Sequence, residues 1–319
     1  MRRLFGDANY DFIGMRKRAY LMSATALLLG LIAAVFFQAT RGSWLNYGVD
    51  FAGGTLIQVR FDEGVTSATE LRSLLEPMFA GTQISEFGSG DEFLIRTPIT
   101  GEATSGAAEI LPEALEAEYG ADAFDVLLTE AVGAKVGGEL QARATLAILL
   151  SFAATLIYLA MRFEWRFGLA AVVATVHDIL LTLALIAGLQ LEVALPTVAA
   201  VLTIVGYSLN DTIVIFDRIR ENLKIAGRRA NFIGTLNKSI NDTLPRTVVT
   251  SATTLVTLLA LFLFGGSVIR DFTLIMIFGI VLGTYSSIFV ASPALLAIEK
   301  KWPGERTKAS RPVRARTPA

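Results

Sequence analysis

The sequence predicts an α-helical polytopic membrane protein with six transmembrane helices and one small α+β domain between the first two helices. Its 319 residues are 53% hydrophobic and 18% charged, with a mean hydropathy of +0.55, well above that of an average soluble domain. Six apolar runs are long enough to cross a bilayer. Acidic residues concentrate instead in residues 40–139, which contain seventeen Asp and Glu against five Lys and Arg.

Composition also restricts the chemistry that the chain can perform. It has no cysteine and a single histidine, so disulfides, thiolate metal sites and histidine-rich metal centres are excluded. A phosphate-binding glycine loop is missing from the sequence, which argues against ATP hydrolysis. We therefore expect no metal site, no bound cofactor and no enzymatic activity.

The first transmembrane helix is predicted at residues 19–39. This uncharged run has about the 20 residues that a spanning helix needs and follows a basic N-terminal tail, residues 1–18. A cleaved signal peptide is the alternative. The run is longer than a typical signal-peptide core, and its exit carries Gln38 and Arg41 rather than a small-residue cleavage site, so the sequence favours an uncleaved anchor.

Residues 40–139 are predicted to form a soluble domain. Alternating apolar residues and helical spacing give a strand, a helix, two strands, a helix and a strand. These elements are predicted at 55–61, 67–79, 83–87, 92–97, 107–119 and 124–131. The most flexible linker of the domain is predicted at 101–106. The order β-α-β-β-α-β is that of a ferredoxin-like domain.

The other five transmembrane helices fall within residues 140–298. They are predicted at 145–161, 168–189, 196–216, 248–264 and 272–298. Residues 217–246 read as an amphipathic loop at the membrane surface. Residues 299–319 form a basic tail, for which a solvated segment and one facing anionic lipids or the ribosome are alternatives.

The distribution of Lys and Arg among the tails and loops predicts the orientation of the chain across the membrane. The N-terminal tail holds five, the 162–166 loop two, the 218–246 loop seven and the C-terminal tail seven, so both tails and both loops are expected in the cytoplasm. Residues 40–139 then lie on the opposite side. Because these basic residues flank membrane helices, we expect lipid contact and no nucleic-acid partner.

Three ionisable residues lie well inside apolar runs: His177, Asp178 and Asp211. Such residues are costly in a membrane and are the default functional candidates. The alternative is that they only fix helix packing through hydrogen bonds. For His177, a packing role is favoured over proton transfer.

Asp211 lies six residues before Asp217, about 9 Å inside its predicted helix at 1.5 Å per residue. Arg246 starts the next predicted helix and can reach it, although snorkelling to lipid headgroups is the alternative. Thr250 and Thr254 follow Arg246 on one helical face, which suits either interhelical hydrogen bonds or a chain of waters. These residues supply the parts of a switchable proton site.

Small residues predict close helix packing. Gly206 lies four residues before Asn210, and Gly279, Gly283 and Ser287 repeat at the same spacing on the last helix.

Several motifs resemble the SecD/SecF family of bacterial protein-export membrane proteins, in the RND superfamily. They are YGVDFAGG at 47–54, VGYSLNDTIVIFDRIREN at 205–222, LPRTVVTSATT at 244–254 and LFLFGG at 261–266. The resemblance covers nearly the whole chain. The single small extracytoplasmic domain resembles SecF rather than SecD, which has a much larger extracytoplasmic region.

The resemblance implies an RND-type half in the bacterial cytoplasmic (inner) membrane. It implies an auxiliary of the Sec translocase that, with SecD, uses the proton motive force to complete export of unfolded preprotein. SecYEG is the implied translocon, with YajC and SecA as indirect partners and protons as the coupling ion. The alternatives are an RND-type exporter of small molecules or lipids, and an intramembrane aspartyl protease using Asp178 and Asp211.

Residue roles are carried over by motif. Asp211 would be the proton-responsive carboxylate, Arg246 its charge partner, and Asn210 would orient the pair. His177 and Asp178, like the Thr250 and Thr254 hydroxyls, receive a supporting role. Asp50, Gly53 and Gly54 would link the first helix to the extracytoplasmic domain, with the glycines in a tight turn.

Overall fold

The computed structural model describes residues 8–87, 91–98, 106–227, 231–266 and 269–303. The helices within these residues are α1 Arg16–Arg41, α2 Val49–Ala52, α3 Ala68–Leu75, α4 Gly106–Tyr119, α5 Ala134–Arg162, α6 Trp165–Leu189, α7 Leu195–Ala226, α8 Phe232–Phe264, α9 Arg270–Ser286 and α10 Ser292–Lys301. The strands are β1 Asn46–Tyr47, β2 Gly54–Phe61, β3 Gln83–Phe87, β4 Glu92–Thr97, β5 Phe124–Val132 and β6 Glu192–Val193. A π-helical turn, Ser287–Ala291, joins α9 to α10.

Six helical segments of the described chain are long and apolar enough to span a membrane, which confirms the predicted number. They are α1, α5, α6, α7, α8 and the continuous run from α9 to α10. Helices α6, α7 and α9–α10 bury about half or more of their apolar windows in the protein, whereas α1 and α5 remain largely uncovered. The centre of the membrane region is therefore built by α6, α7 and α9–α10.

The small α+β domain between α1 and α5 has the predicted strand and helix order. Its sheet runs β3-β4-β2-β5, with all neighbours antiparallel, which is the ferredoxin-like arrangement. Helices α3 and α4 supply fully buried leucines, Leu71 and Leu111 among them, that pack against Ile57, Phe93 and Ile95 of the sheet. Alternation of apolar residues along the strands thus puts one face of the sheet in the core.

Short strands outside the four-stranded sheet tie the domain to the membrane region. β1 pairs in parallel with β6, matching Asn46 with Glu192. The carboxylate of Asp50 accepts a hydrogen bond from the backbone N–H of Leu195, the first residue of α7, at 2.8 Å. An acidic side chain at a helix N-terminus satisfies a free N–H and interacts favourably with the helix dipole, so Asp50 stabilises the start of α7.

Gly53 and Gly54 form the turn that leads into β2. Both have positive φ, 75° and 137°, which is the region that favours glycine. A Cβ atom on Gly54 would lie 2.5 Å from the carbonyl oxygen of Thr97. The backbone of β2 approaches β4 too closely at this point for any larger residue.

Glycines on α9 allow a close approach to α7. A Cβ atom on Gly279 would lie 2.2 Å from Ile204, and one on Gly283 would lie 3.1 Å from Ser208. Gly206 differs, because nothing lies within 4 Å of its Cβ position and the residue is exposed. Gly279 and Gly283 of α9 therefore pack against α7, whereas Gly206 has no neighbour within 4 Å of its Cβ position.

The amphipathic loop predicted at 217–246 is mostly helical instead. α7 continues to Ala226 and α8 begins at Phe232, so the two membrane helices extend into a hairpin. The side chain of Asn222 donates to Ser239 at 2.9 Å, and Ile219 and Leu236 are fully buried. Part of the apolar face therefore packs between the helices, while Ile225 and Ile233 remain exposed. Arg228 and Arg229 lie outside the described residues.

Part of the predicted N-terminal tail is also bound to this hairpin. The Asn241 side chain accepts from the backbone N–H of Tyr10 and donates to its carbonyl, both at 2.9 Å. Phe12 and Ile13 are buried in the same core as Leu236. In the C-terminal tail, α10 extends to Lys301, and residues 304–319 lie outside the described residues.

Candidate functional site in the membrane region

Asp211 lies on α7 with 3% of its surface exposed. Its nearest interaction partners are the side chains of Arg246 on α8 and Thr284 on α9, and the Thr284 hydroxyl also bonds the hydroxyl of Ser251 at 2.7 Å. The Oδ2 atom of Asp211 is buried without a hydrogen-bond partner. An ionised oxygen in that position costs several kcal/mol, and this cost falls when the oxygen binds a proton.

Arg246 interacts with Asp211 through space rather than by direct contact. Its charge acts on the carboxylate, yet the ion pairs among the described residues, defined by N–O distances up to 4.0 Å, do not include this pair. Arg246 is exposed in the isolated chain. The arginine and the carboxylate are therefore not in direct contact in this conformation.

Asn210 is not brought to Asp211 and Arg246. Consecutive residues of an α-helix point about 100° apart, so a buried Asp211 places Asn210 on an exposed face of α7. Gly206, one turn earlier, is exposed on the same face. Among the described residues, the Asn210 side chain makes no hydrogen bond that would support the predicted orienting role.

Thr250 and Thr254 bond mainly to their own helix. Their hydroxyls donate to the carbonyls four residues earlier, of Arg246 and Thr250, at 3.0 and 3.1 Å. Tyr207 on α7 reaches across and contacts the Thr254 hydroxyl at 3.1 Å and the Thr250 carbonyl at 3.2 Å. This part of the hydroxyl stripe therefore joins α7 to α8 through Tyr207.

His177 and Asp178 form a second buried cluster. Asp178 is 1% exposed, and its Oδ1 lies 2.9 Å from the Nδ1 atom of His177. The hydroxyls of Ser208 on α7 and Ser286 on α9 donate to Oδ2 at 2.5 and 2.6 Å. The carboxylate thus holds three helices together through one side chain.

The histidine extends this cluster to α1. Its Nε2 atom lies 2.9 Å from the hydroxyl of Ser23, which lies 3.0 Å from the hydroxyl of Tyr285. Tyr285 also stacks on the imidazole ring, with centroids 6.2 Å apart, and donates to the carbonyl of Ala19 at 2.8 Å.

Four residues of this network were missed by sequence reasoning: Ser23, Ser208, Tyr285 and Ser286. Serine hydroxyls are common in membrane helices, and their spacing alone does not reveal a shared acceptor.

The residues that surround the two buried carboxylates lie close together on α7 and α9. Ser208 precedes Asp211 on α7 by three residues, and Thr284 precedes Ser286 on α9 by two. The π-helical turn begins directly after Ser286, and such turns inside α-helices occur frequently at functional sites. The groups that interact with the two carboxylates are therefore near neighbours along α7 and α9.

A third charged cluster lies where the α+β domain meets the membrane region. Arg96 of β4 forms an ion pair with Glu192 of β6, and the backbone N–H of Glu192 donates to Asp271 at 2.7 Å. Burial raises the pKa of Glu192, Arg96 lowers it, and Asp271 and Asp50 raise it further. One arginine therefore neutralises a predominantly acidic junction.

The fold and these buried charges define a polytopic membrane protein with an ionisable centre, and comparisons with known proteins identify its family. The model of the C-terminal region of the protein export membrane proteins SecD and SecF matches residues 113–301, and the SecD/SecF GG motif matches residues 42–65. The chain belongs to the SecD/SecF family.

Curated relatives give the same result over most of the chain. This chain is 44% identical to the protein translocase subunit SecF of Gemmatimonas aurantiaca, over 95% of this chain and 91% of the relative. It is 45% identical to the SecF subunit of Desulfurispirillum indicum, over 88% of this chain and 90% of that protein. These names describe an accessory translocase subunit, which confirms the expectation that the chain is not an enzyme.

A solved structure matches the fold. The crystal structure of SecDF from Thermus thermophilus, a translocon-associated membrane protein, has a TM-score of 0.78 and 39% identity and covers 92% of this chain. A second SecDF structure, described as a super-membrane-facing form, matches with a TM-score of 0.64. This chain spans 39% of the matched SecDF chain.

Proposed function

We propose that this chain is an auxiliary subunit of the Sec translocase that, with a SecD partner, uses the proton motive force to promote preprotein export after the ATP-driven step. It would lie in the bacterial inner membrane with both termini in the cytoplasm and residues 40–139 outside. SecYEG would be the translocon that it serves, with YajC and SecA as indirect partners. Family membership and the excess of Lys and Arg in the tails and two loops support this proposal.

The observation that carries the proton-coupling part is the buried, unpartnered oxygen of Asp211. A carboxylate with a vacant acceptor, and a cation acting on it from Arg246, is subject to two opposing effects. Protonation removes a buried charge, and deprotonation restores the attraction to the arginine. Moving one proton through 100 mV supplies about 2.3 kcal/mol, enough to shift a two-state equilibrium roughly fiftyfold.

A SecD partner accounts for the exposed face of α7. Gly206 and Asn210 are exposed on this face, and nothing lies within 4 Å of the Cβ position of Gly206. Small residues allow another membrane helix to approach closely. The matched SecDF chain is more than twice as long as this one. A second six-helix half packed on this face by pseudo-two-fold symmetry would cover both residues.

The test is preprotein export into inverted membrane vesicles with and without a proton gradient. Asp211→Asn keeps the shape of the side chain and removes its titration, so we expect loss of the gradient-dependent part of export and retention of the ATP-dependent part. Asp217→Asn is the matched control, because this residue lies on the same helix but pairs with Arg162 and is 40% exposed. Gradient-dependent export at the wild-type level in Asp211→Asn would refute the proposal.

A further inference from the structure

The His177–Asp178 cluster contains more hydrogen-bond contacts than a neutral histidine and an ionised aspartate can satisfy. The constraint starts at Tyr285, whose single hydroxyl hydrogen is donated to the carbonyl of Ala19. The contact between Tyr285 and Ser23 at 3.0 Å must then use the hydroxyl hydrogen of Ser23. That leaves Ser23 as an acceptor toward the Nε2 atom of His177, 2.9 Å away.

Nε2 of His177 must therefore carry a hydrogen. The other ring nitrogen, Nδ1, lies 2.9 Å from Oδ1 of Asp178, and two lone pairs at that distance repel. A second hydrogen is needed between Nδ1 and Oδ1, either on the ring or on the carboxyl group. Each neutral form of His177 paired with ionised Asp178 leaves one contact of the chain without a hydrogen.

We infer that His177 and Asp178 form a proton-binding site, which at neutral pH holds one exchangeable proton as an imidazolium–carboxylate pair. The second hydrogen lies on the ring, because two hydroxyl donors at Oδ2 of Asp178 favour the ionised form of the carboxyl group. The carboxylate is stabilised by the donors Ser208 and Ser286 at its other oxygen. With the proton bound, the pair is neutral overall, the favourable state for ionisable groups buried in a membrane span.

Groups on the neighbouring helices are consistent with this charge state. Tyr285 of α9 is a titratable side chain in ring contact with His177. Asp211 is the next ionisable residue along α7, three residues after Ser208. On α1, the neutral hydroxyl of Ser23 contacts His177 directly, and the neutral carbonyl of Ala19 accepts a hydrogen bond from Tyr285. The charged groups that α5 and α10 carry near α6 are paired at the helix ends: Arg162 with Asp217 and Glu299 with Arg166.

Loss of this proton has a structural consequence. The pair would then carry one negative charge, and either the contact between His177 and Asp178 or the contact between Ser23 and Tyr285 would lose its hydrogen. The first change loosens the histidine from the carboxylate, and the second weakens one of the two hydrogen-bond contacts between α1 and Tyr285 of α9. Protonation of the pair is thus coupled to contacts among α1, α6 and α9. This site is distinct from Asp211 and goes beyond the proposed function.

His177 is the only histidine of the chain, so ¹⁵N NMR of histidine-labelled protein reports this site alone. The full chain, purified through a tag without histidine, would be reconstituted in lipid nanodiscs and titrated with pH. We expect both ring nitrogens to be protonated at pH 7 and one proton to be lost at alkaline pH. A ring nitrogen without hydrogen at pH 7 in the wild type would overturn the inference.

Variants separate a proton site from simple packing. Asp178→Asn removes the negative charge, so we expect only one protonated ring nitrogen at pH 7. Tyr285→Phe frees the Ser23 hydrogen to bond Nε2, so the doubly protonated fraction should fall at the same pH. Ser292→Ala, which removes a buried hydroxyl bonded to the Ser287 carbonyl, should leave the titration unchanged. Identical titrations for Tyr285→Phe and the wild type would contradict the hydrogen assignment.

Discussion

The two serines that bond Asp178 provide a quantitative test of the buried network. Ser208 and Ser286 both donate to the same carboxylate oxygen, at 2.5 and 2.6 Å. Hydrogen bonds to charged groups contribute about 1.5–3 kcal/mol, and side-chain bonds inside membranes tend toward smaller values. We expect Ser208→Ala to lower the free energy of unfolding by about 1.5 kcal/mol, roughly tenfold in the equilibrium constant.

The double variant makes this prediction more specific. Either single variant leaves Oδ2 of Asp178 with one donor, but Ser208→Ala with Ser286→Ala leaves it with none. The double variant should therefore lose about 1 kcal/mol more of the free energy of unfolding than the sum of the losses in the two single variants.

Equilibrium unfolding in mixed micelles of lipid and SDS measures these differences, with Ser292→Ala as the control for loss of a buried hydroxyl. The reasoning fails if Ser208→Ala lowers the free energy of unfolding no more than this control does. It also fails if the losses caused by the two serine substitutions are additive.

Further predictions concern packing, pH dependence and the arginine. Gly279→Leu should destabilise the chain by about 1–3 kcal/mol because its Cβ would overlap Ile204; Gly206→Leu should fold normally alone, and equal unfolding midpoints would refute this difference. Burial raises the pKa of Glu192, so the native state binds its proton more tightly than the unfolded state does. Stability should therefore fall as pH rises from the ordinary glutamate value through the raised one, and Glu192→Gln should flatten that slope in a pH series of unfolding curves. Arg246→Met should abolish gradient-dependent export while Arg220→Met retains it; wild-type export in Arg246→Met would contradict the role of the arginine.

Much of the α+β domain could be predicted because its strands have one buried face. Alternation of apolar residues located β3 and β4 at their observed bounds and β2 and β5 to within a residue. The short strands β1 and β6 were not predicted. A two-residue parallel pair between residues 46–47 and 192–193 has no local pattern, since each strand depends on a partner far away in the chain.

The helical hairpin between α7 and α8 was misjudged for physical reasons. Charged residues from Asp217 onward end the apolar run, and Pro245 reads as the start of a helix. The helices nevertheless continue, with Pro245 inside α8, because ion pairs such as Arg218 with Asp242 satisfy the charges across the hairpin. Hydropathy marks the part of a helix that lies in lipid, and not where the helix ends.

The membrane site was only partly predictable for a related reason. Scarcity of charge identified Asp178 and Asp211 as candidates, and both are buried. Their hydrogen-bond partners come from other helices, and the rotation of each helix decides which hydroxyl reaches which carboxylate. The exposed positions of Asn210 and Gly206 likewise depend on packing that a single sequence does not specify.

Protonation of Asp211 is the central claim, and infrared difference spectroscopy tests it most directly. Spectra of the full chain in nanodiscs would be recorded across a pH change, for the wild type and for Asp211→Asn. We predict a protonated-carboxyl C=O band that appears on acidification in the wild type and is missing from the variant, while Asp217→Asn keeps it. Identical difference spectra for the wild type and Asp211→Asn would mean that Asp211 does not change protonation state, and would contradict the account.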